Sequence, residues 1–236
     1  MYHLTVSIVL AAFIALAHSA EEVNVGGYLS KAQENVDQLS VHCFKPSDDD
    51  TIYKYSIPHL NESQGVIDFA KFKGKPLLLV NVATFCQSAS EYPVYNKFVE
   101  KYGSQIEIVG FPSNQFWNQE PSANATEIYN AIRYVRPGNG FVPKFALTKL
   151  VQVNGAGESP IFSFFKRSCL STRTRFESAE YLLYAEKNAR DVRWNFEKFL
   201  LNHEGHVYKR FDQHFKPEGL IPDIEHLIAE AKKAKN

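Results

Sequence analysis

Leu77-Leu78-Leu79-Val80-Asn81-Val82 is the most apolar run of the chain beyond residue 20, and it constrains the fold more than any other stretch. It has the length of one strand. A strand without polar alternation suits burial on both faces, as in a parallel sheet covered by helices. The run leads into Ala83-Thr84-Phe85-Cys86-Gln87-Ser88, after which a helical pattern begins. Val94, Phe98 and Tyr102 recur at i, i+4 and i+8, and Gly103 stops the pattern. Ser88 with Glu91 fits a capping box. Ser90 as N-cap instead puts Pro93 in the first turn, where a missing N–H costs nothing. We take Ser90. A strand then delivers Cys86 to the mouth of a helix, where the dipole and free N–H groups favour the thiolate, the nucleophilic form. Taken alone, Cys86 is equally well a small buried apolar residue.

The rest of the chain builds a sheet around this strand. Residues 21–50 are polar and read as a solvated lead-in ending in Asp48-Asp49-Asp50. Thr51 to Ile57 alternates as a strand, with Val66 to Phe69 as its hairpin partner. Lys73-Gly74-Lys75-Pro76 is a turn. Ile106 to Val109 is a second apolar strand, ending at Gly110-Phe111-Pro112. Strand, helix, strand makes a βαβ unit and a sheet that is at least partly parallel. Thr126 to Val135 reads as a helix with Ile128, Ile132 and Val135 inward and Thr126 as its cap. Residues 138–160 read as loop with one short strand, Ile161 to Phe165 opens a helix, and 168–193 is a polar surface excursion. Trp194 to Leu201 and Val207 to Phe211 flank Asn202-His203-Glu204-Gly205 as a hairpin. Asp223 to Ala234 is a closing helix with Ile224, Leu227, Ile228 and Ala231 inward. This order is similar to the thioredoxin-like α/β arrangement, a mixed central sheet flanked by helices.

Leu4 to Ala17 is almost wholly apolar and precedes Ala17-His18-Ser19, small residues at a cleavage site. It reads as a secretory signal peptide over 1–19, too short to span a bilayer. A polar N-terminal extension (20–50) and one domain (51–236) follow. The expected location is extracellular. Sequons at Asn61-Glu62-Ser63 and Asn124-Ala125-Thr126 agree with export. Lys plus Arg equals Asp plus Glu at 26 each, so no net field draws nucleic acid or an anionic membrane. Cys43, Cys86 and Cys169 make an odd count after export. That leaves a free reactive thiol or an intermolecular link, with Cys43 and Cys169 able to pair with each other. His203 and His206 flank a turn without partner thiols and read as solvated, so no metal site is expected.

Ligands in open α/β sheets sit outside the carboxyl ends of the parallel strands. Cys86, Ser113-Asn114-Gln115 and Trp194-Asn195 should meet there. Asn81-Val82-Ala83-Thr84-Phe85-Cys86, Gly110-Phe111-Pro112-Ser113-Asn114-Gln115-Phe116 and Trp194-Asn195-Phe196-Glu197-Lys198-Phe199-Leu200 resemble the three signatures of the glutathione peroxidase family. The likeness runs from about Ile52 to Ile228, and the nearest relatives it implies are secreted plasma- or epididymis-type enzymes. Tyr134-Val135-Arg136-Pro137-Gly138 and Val153-Asn154-Gly155 resemble longer, homotetrameric members.

The resemblance implies a catalytic tetrad of Cys86, Gln115, Trp194 and Asn195. Cys86 would attack the O–O bond, and the three partners would donate hydrogen bonds to sulfur or peroxide. It implies a non-selenium glutathione peroxidase acting in the oxidative stress response, with no cofactor and glutathione as co-substrate. Many relatives carry selenocysteine at Cys86, so lower turnover is expected. Gln87, Ser113 and Trp117 replace the family's glycine, cysteine and glycine. Glu127 to Arg136 lacks the resolving cysteine of thioredoxin-using members. Arg136, Lys209 and Arg210 match candidate glutathione-binding positions, and Glu91 stands where cytosolic relatives have an arginine, weakening an anion site. The alternatives are a thioredoxin-dependent peroxidase resolved by Cys43 or Cys169, and a catalytically weak secreted binding protein of the same fold.

Overall fold

The computed structural model describes residues 38–235; the predicted signal peptide (1–19) and residues 20–37 of the predicted extension lie outside the described residues. The strands are β1 (Ser40–His42), β2 (Ser56–Pro58), β3 (Val66–Asp68), β4 (Leu77–Val82), β5 (Glu107–Pro112), β6 (Ala146–Leu147), β7 (Lys198–Leu201) and β8 (Val207–Phe211). The helices are α1 (Tyr92–Tyr102), α2 (Ala125–Tyr134), α3 (Pro160–Ser168) and α4 (Ile221–Lys233). Six strands form one sheet in the order β1-β8-β7-β4-β5-β6, and β2 and β3 pair separately. β4 runs parallel to β5 and antiparallel to β7, so the sheet is mixed.

The uninterrupted apolar run follows from β4's central place. Successive side chains point to opposite faces. Leu78, Val80 and Val82 enter one core with Tyr92, Phe98 and Tyr102 of α1 and Ile224, Leu227 and Ile228 of α4. Leu77 and Leu79 enter a second core with Ile161, Phe162, Phe164 and Phe165 of α3. Each apolar side chain buried this way contributes about 1.5–3 kcal/mol. On β5, Gly110 leaves room for close packing: a Cβ there would lie 2.6 Å from Leu147 Cδ2 on neighbouring β6, and Leu147 would have to shift.

The βαβ unit, the β2–β3 hairpin, the β7–β8 hairpin and the inward face of α4 match the sequence reading. Other elements differ. Ile52–Lys54 is a 3₁₀ turn, so only the end of the 51–57 stretch is strand. α1 does not start from Ser90. A 3₁₀ helix, Gln87–Glu91, feeds it, with Cys86 as N-cap of that turn and Glu91 as N-cap of α1. Pro93 still falls in the first turn. Asn124, not Thr126, caps α2, its side chain accepting from Glu127 N at 3.2 Å. Val135 lies beyond α2 and is exposed. Residues 168–193 are no mere surface excursion, because Thr172, Leu182, Asp191, Val192 and Arg193 are buried.

The lead-in also differs. β1 pairs with β8 at the sheet edge, and Cys43, just after it, forms a disulfide with Cys169 at the end of α3. Residues 40–43 are therefore built into the domain ahead of the expected boundary at 51. The bridge closes a separation of 126 residues. Cross-linking so long a loop restricts the unfolded chain strongly, so replacing both cysteines by serine should lower stability by about 2–5 kcal/mol in urea unfolding. A loss below about 0.5 kcal/mol would contradict a stabilising role for the bridge.

Candidate active site

β4 carries one polar side chain, Asn81, and it is fully buried. Its Nδ2 donates to Trp194 O at 2.9 Å, and its Oδ1 accepts from Glu197 N at 3.1 Å. Its backbone carbonyl accepts from Phe196 N at 2.6 Å. These bonds lock the turn before β7 against the strand that ends near Cys86. Phe196 sits there at φ 64°, a left-handed conformation that a bulky residue holds only when its surroundings fix it.

A second clamp joins the segment after β5 to the Cys86 loop. Phe85 N donates to Gln119 O at 2.9 Å. Thr84 N and Oγ1 both donate to Glu120 Oε2, at 2.8 and 2.7 Å. Trp117 and Asn118 are both left-handed, at φ 52° and 48°, which turns the chain back and carries Gln119 to the thiol. Asn195 Nδ2 donates to Gln119 Oε1 at 2.9 Å, joining the two clamped segments.

Cys86 is the free cysteine among the described residues and is buried. It shares a cavity of ≈ 420 Å³ with Gln119, Trp194, Ser88, Glu91 and Lys216. Burial pushes the thiol up. Hydrogen bonds from the Ser88 backbone and hydroxyl pull it back, Glu91's charge raises it, and an Asn195 bond lowers it. The net direction is upward, so burial outweighs the local donors and the expected thiolate is not favoured at rest. Asn195 Oδ1 is buried without a hydrogen-bond partner.

The opposite wall holds a buried ion pair. Lys198 Nζ lies 3.1 Å from Glu91 Oε2 and donates to the carbonyls of Gln213 (3.2 Å) and Phe215 (2.9 Å). Tyr95 OH donates to Glu91 Oε2 at 2.6 Å. Glu91 is therefore neutralised by its partner and is not the open repulsive carboxylate expected from sequence. Burial raises its pKa and lowers that of Lys198.

The predicted site residues separate into two groups. Cys86, Trp194 and Asn195 come together, and Arg136 Nη1 reaches Phe85 O at 2.9 Å beside them. Gln115 does not join them. Its Oε1 accepts from Val153 N (2.7 Å) and Asn154 N (2.9 Å), and its Nε2 donates to Asn154 O at 2.9 Å. Asn154 in turn bonds both backbone groups of Val192. Gln115 thus braces the approach to Trp194 from behind, and Gln119 occupies the thiol side. Arg210 is fully buried against Glu197 at 2.7 Å and against the carbonyls of Arg190 and Asp191, leaving nothing for an incoming anion. Lys209 pairs with Asp223 on α4 at 3.0 Å, away from the cavity. Sequence reasoning missed Gln119, Glu120 and Lys216, although Asn118-Gln119-Glu120 is a polar run that begins three residues past Gln115. Asn124 is exposed; Asn61 is half-buried, its Oδ1 accepting from Ser63.

Glu120 gives this site a titratable brace. Burial raises its pKa from 4.5 to about 7, against the lowering effect of the Thr84 bonds. The folded state therefore binds the Glu120 proton more tightly than the unfolded chain. Its contribution is full below about pH 4.5 and is lost as pH rises through about 7. Glu120→Gln keeps an acceptor without the charge. Its stability relative to wild type should rise between pH 4.5 and 8 by roughly 3 kcal/mol, measured by denaturant unfolding at each pH. A pH-independent difference would contradict the assignment.

Comparison with known proteins agrees with this architecture. The glutathione peroxidase family model matches residues 52–166. Glutathione peroxidase 3 of Caenorhabditis elegans is 35% identical over 222 residues, 87% of this chain and 97% of the relative. The epididymal secretory glutathione peroxidase of Rattus norvegicus is 39% identical over 173 residues, covering 72% of this chain and 76% of the relative. Among solved structures, apo Trgpx superposes with a TM-score of 0.52 at 23% identity, over 76% of this chain and 96% of that one, a likeness of fold. On the nematode match, which covers 87% of this chain and 97% of that relative, the chain belongs to the glutathione peroxidase family.

Proposed function

We propose that this chain is an exported, cysteine-dependent peroxidase that reduces hydrogen peroxide and organic hydroperoxides with glutathione, without a bound cofactor. The observation that carries the reading is one free thiol, Cys86, in a cavity shared with Gln119 and Trp194, with Asn195 held to Gln119 beside it. Cys86 as thiolate attacks the terminal peroxide oxygen. The S–O bond forms as the O–O bond breaks, sulfur loses two electrons, and the leaving oxygen takes a proton to become water or an alcohol. The amide N–H groups of Gln119 and the indole N–H of Trp194 are the donors for the charge that develops on that oxygen. Asn195 Oδ1, unpartnered, is the acceptor for the peroxide O–H.

The sulfenic acid then meets an outside thiol. Cys43 and Cys169 are bonded to each other, so neither is free to resolve it, which disfavours a thioredoxin-type cycle. One glutathione forms a mixed disulfide with Cys86, releasing water, and a second attacks that disulfide to regenerate the thiol. Arg136 beside Phe85 and Lys216 on the cavity wall are the cations for the anionic tripeptide. Relatives named as epididymal secretory enzymes, with the sequons at Asn61 and Asn124, support an extracellular glycoprotein. A homotetramer rests on the likeness of the 134–138 and 153–155 segments to longer members, and sedimentation tests it.

Cys86→Ser should abolish glutathione-dependent peroxide consumption. Gln119→Leu should lower kcat/KM for peroxide by about 10²-fold, the usual effect of removing one donor to developing charge. Retained activity in Cys86→Ser would contradict the mechanism. Because burial raises the thiol pKa, the rate of Cys86 oxidation should climb with pH at least to the ordinary thiol range of about 8.5. A plateau reached by about pH 6 would show a thiolate that is already formed at rest.

A further inference from the structure

A large, exposed aromatic side chain stands two residues before Gln119 of the thiol cavity, in a backbone conformation that disfavours it. Trp117 has φ 52° and is 59% exposed. A glycine would sit there without strain, whereas a side chain at left-handed φ persists only where the surroundings hold it, a pattern concentrated at functional sites. What holds the segment is a short ribbon. Trp117 N donates to Tyr181 O at 2.6 Å, Leu183 N donates to Gln115 O at 2.8 Å, and Phe116 and Leu182 form a bridge between them. The ribbon places the Trp117 and Tyr181 rings 5.0 Å apart. Tyr181 in turn meets Trp194 edge-on at 6.5 Å, and Trp194 lines the cavity of Cys86.

The three rings therefore form a continuous aromatic path from open solvent to the thiol. None of them carries a charge, and the outermost is mostly uncovered. Two clamps hold the path in register with the reacting sulfur: Gln119, two residues past Trp117, is fixed to the Cys86 loop, and Trp194 is fixed to Asn81. A hydrogen peroxide molecule has no atoms that could reach such a platform. A hydroperoxide with an aryl or alkyl group on the leaving oxygen has apolar atoms to lay against it, beginning at Trp194, when its O–O end is at Cys86.

We propose that Trp117, Tyr181 and the outer face of Trp194 form a platform for the apolar group of organic hydroperoxides, with Trp117 as the specificity-determining residue. The inference rests on the peroxidase reading above and names the substrate class that this chain prefers. The step is the same: the S–O bond forms at the terminal oxygen, the O–O bond breaks, sulfur is oxidised by two electrons, and the alkoxide leaves with a proton as the alcohol. The platform adds contact with the group on the leaving oxygen, which hydrogen peroxide lacks.

Trp117→Gly is the decisive variant, because the left-handed backbone accepts glycine freely and the fold should survive. The experiment measures kcat/KM for cumene hydroperoxide and for hydrogen peroxide, with glutathione, in wild type, Trp117→Gly, Trp117→Phe and Tyr181→Ala. The ratio of the two values should fall about three- to tenfold in Trp117→Gly and Tyr181→Ala, the scale of one lost aromatic contact. Trp117→Phe should hold the ratio within about twofold. An unchanged ratio in Trp117→Gly overturns the platform. So does an unchanged ratio accompanied by a smaller sedimenting species, which would make Trp117 a contact between copies of the chain. Wild-type protein that consumes neither peroxide overturns the peroxidase reading itself, and the platform with it.

Discussion

One buried amide holds the site together. Asn81 sits on the central strand among Leu77, Leu79 and Phe111, where an unpaired polar group costs about 1–3 kcal/mol. That cost is avoided only if the 194–197 turn closes over it and supplies a carbonyl to its N–H and an N–H to its oxygen. The same strand runs on to Cys86, so closing the turn also delivers Trp194 and Asn195 to the sulfur. Folding of the core and assembly of the site are thus one event. The Thr84–Glu120 clamp does the same for Gln119 from the other side.

Around this centre, charge is handled by pairing inside the protein. Glu91 with Lys198 and Glu197 with Arg210 are buried pairs whose remaining donors go to backbone carbonyls. Such pairs add little net stability, because desolvation offsets attraction, but each fixes geometry, since a broken pair leaves a bare buried charge. Lys198 holds the 213–215 segment that walls the cavity, and Arg210 holds the 190–191 segment that leads to Trp194. The thiol is buried beside the neutralised Glu91–Lys198 pair. Its pKa rises, and its reactivity must come from donors arranged around the leaving oxygen more than from a standing thiolate.

The parts that sequence made legible were those governed by periodicity and by punctuation. An unbroken apolar run reads as a two-faced strand, and Leu77–Val82 is one. Gly103 stops a helix, and Asn202–Gly205 turns a hairpin. The family motifs pointed to Cys86, Trp194 and Asn195, and the fold brings those three together. The choice between Gln115 and Gln119 was not legible, because it depends on two successive left-handed residues, Trp117 and Asn118, neither of which is a glycine. The binding role expected of Arg210 failed for a simpler reason: adjacent strand residues face opposite sides, and Arg210 faces in. Edge strand β1 and the Cys43–Cys169 bridge depend on contacts across the whole chain, which local pattern does not carry.

The most direct test of this account is the rate of Cys86 oxidation in Asn81→Leu, a change of similar size that removes both amide bonds. Stopped-flow mixing of the reduced, folded protein with hydrogen peroxide measures that rate, and iodoacetamide alkylation at the same pH measures thiol reactivity alone. If Asn81 assembles the site, oxidation slows by about 10²-fold while alkylation changes only a few-fold. An unaltered oxidation rate in a folded Asn81→Leu protein would contradict the claim that this clamp brings Trp194 and Asn195 to the reacting sulfur.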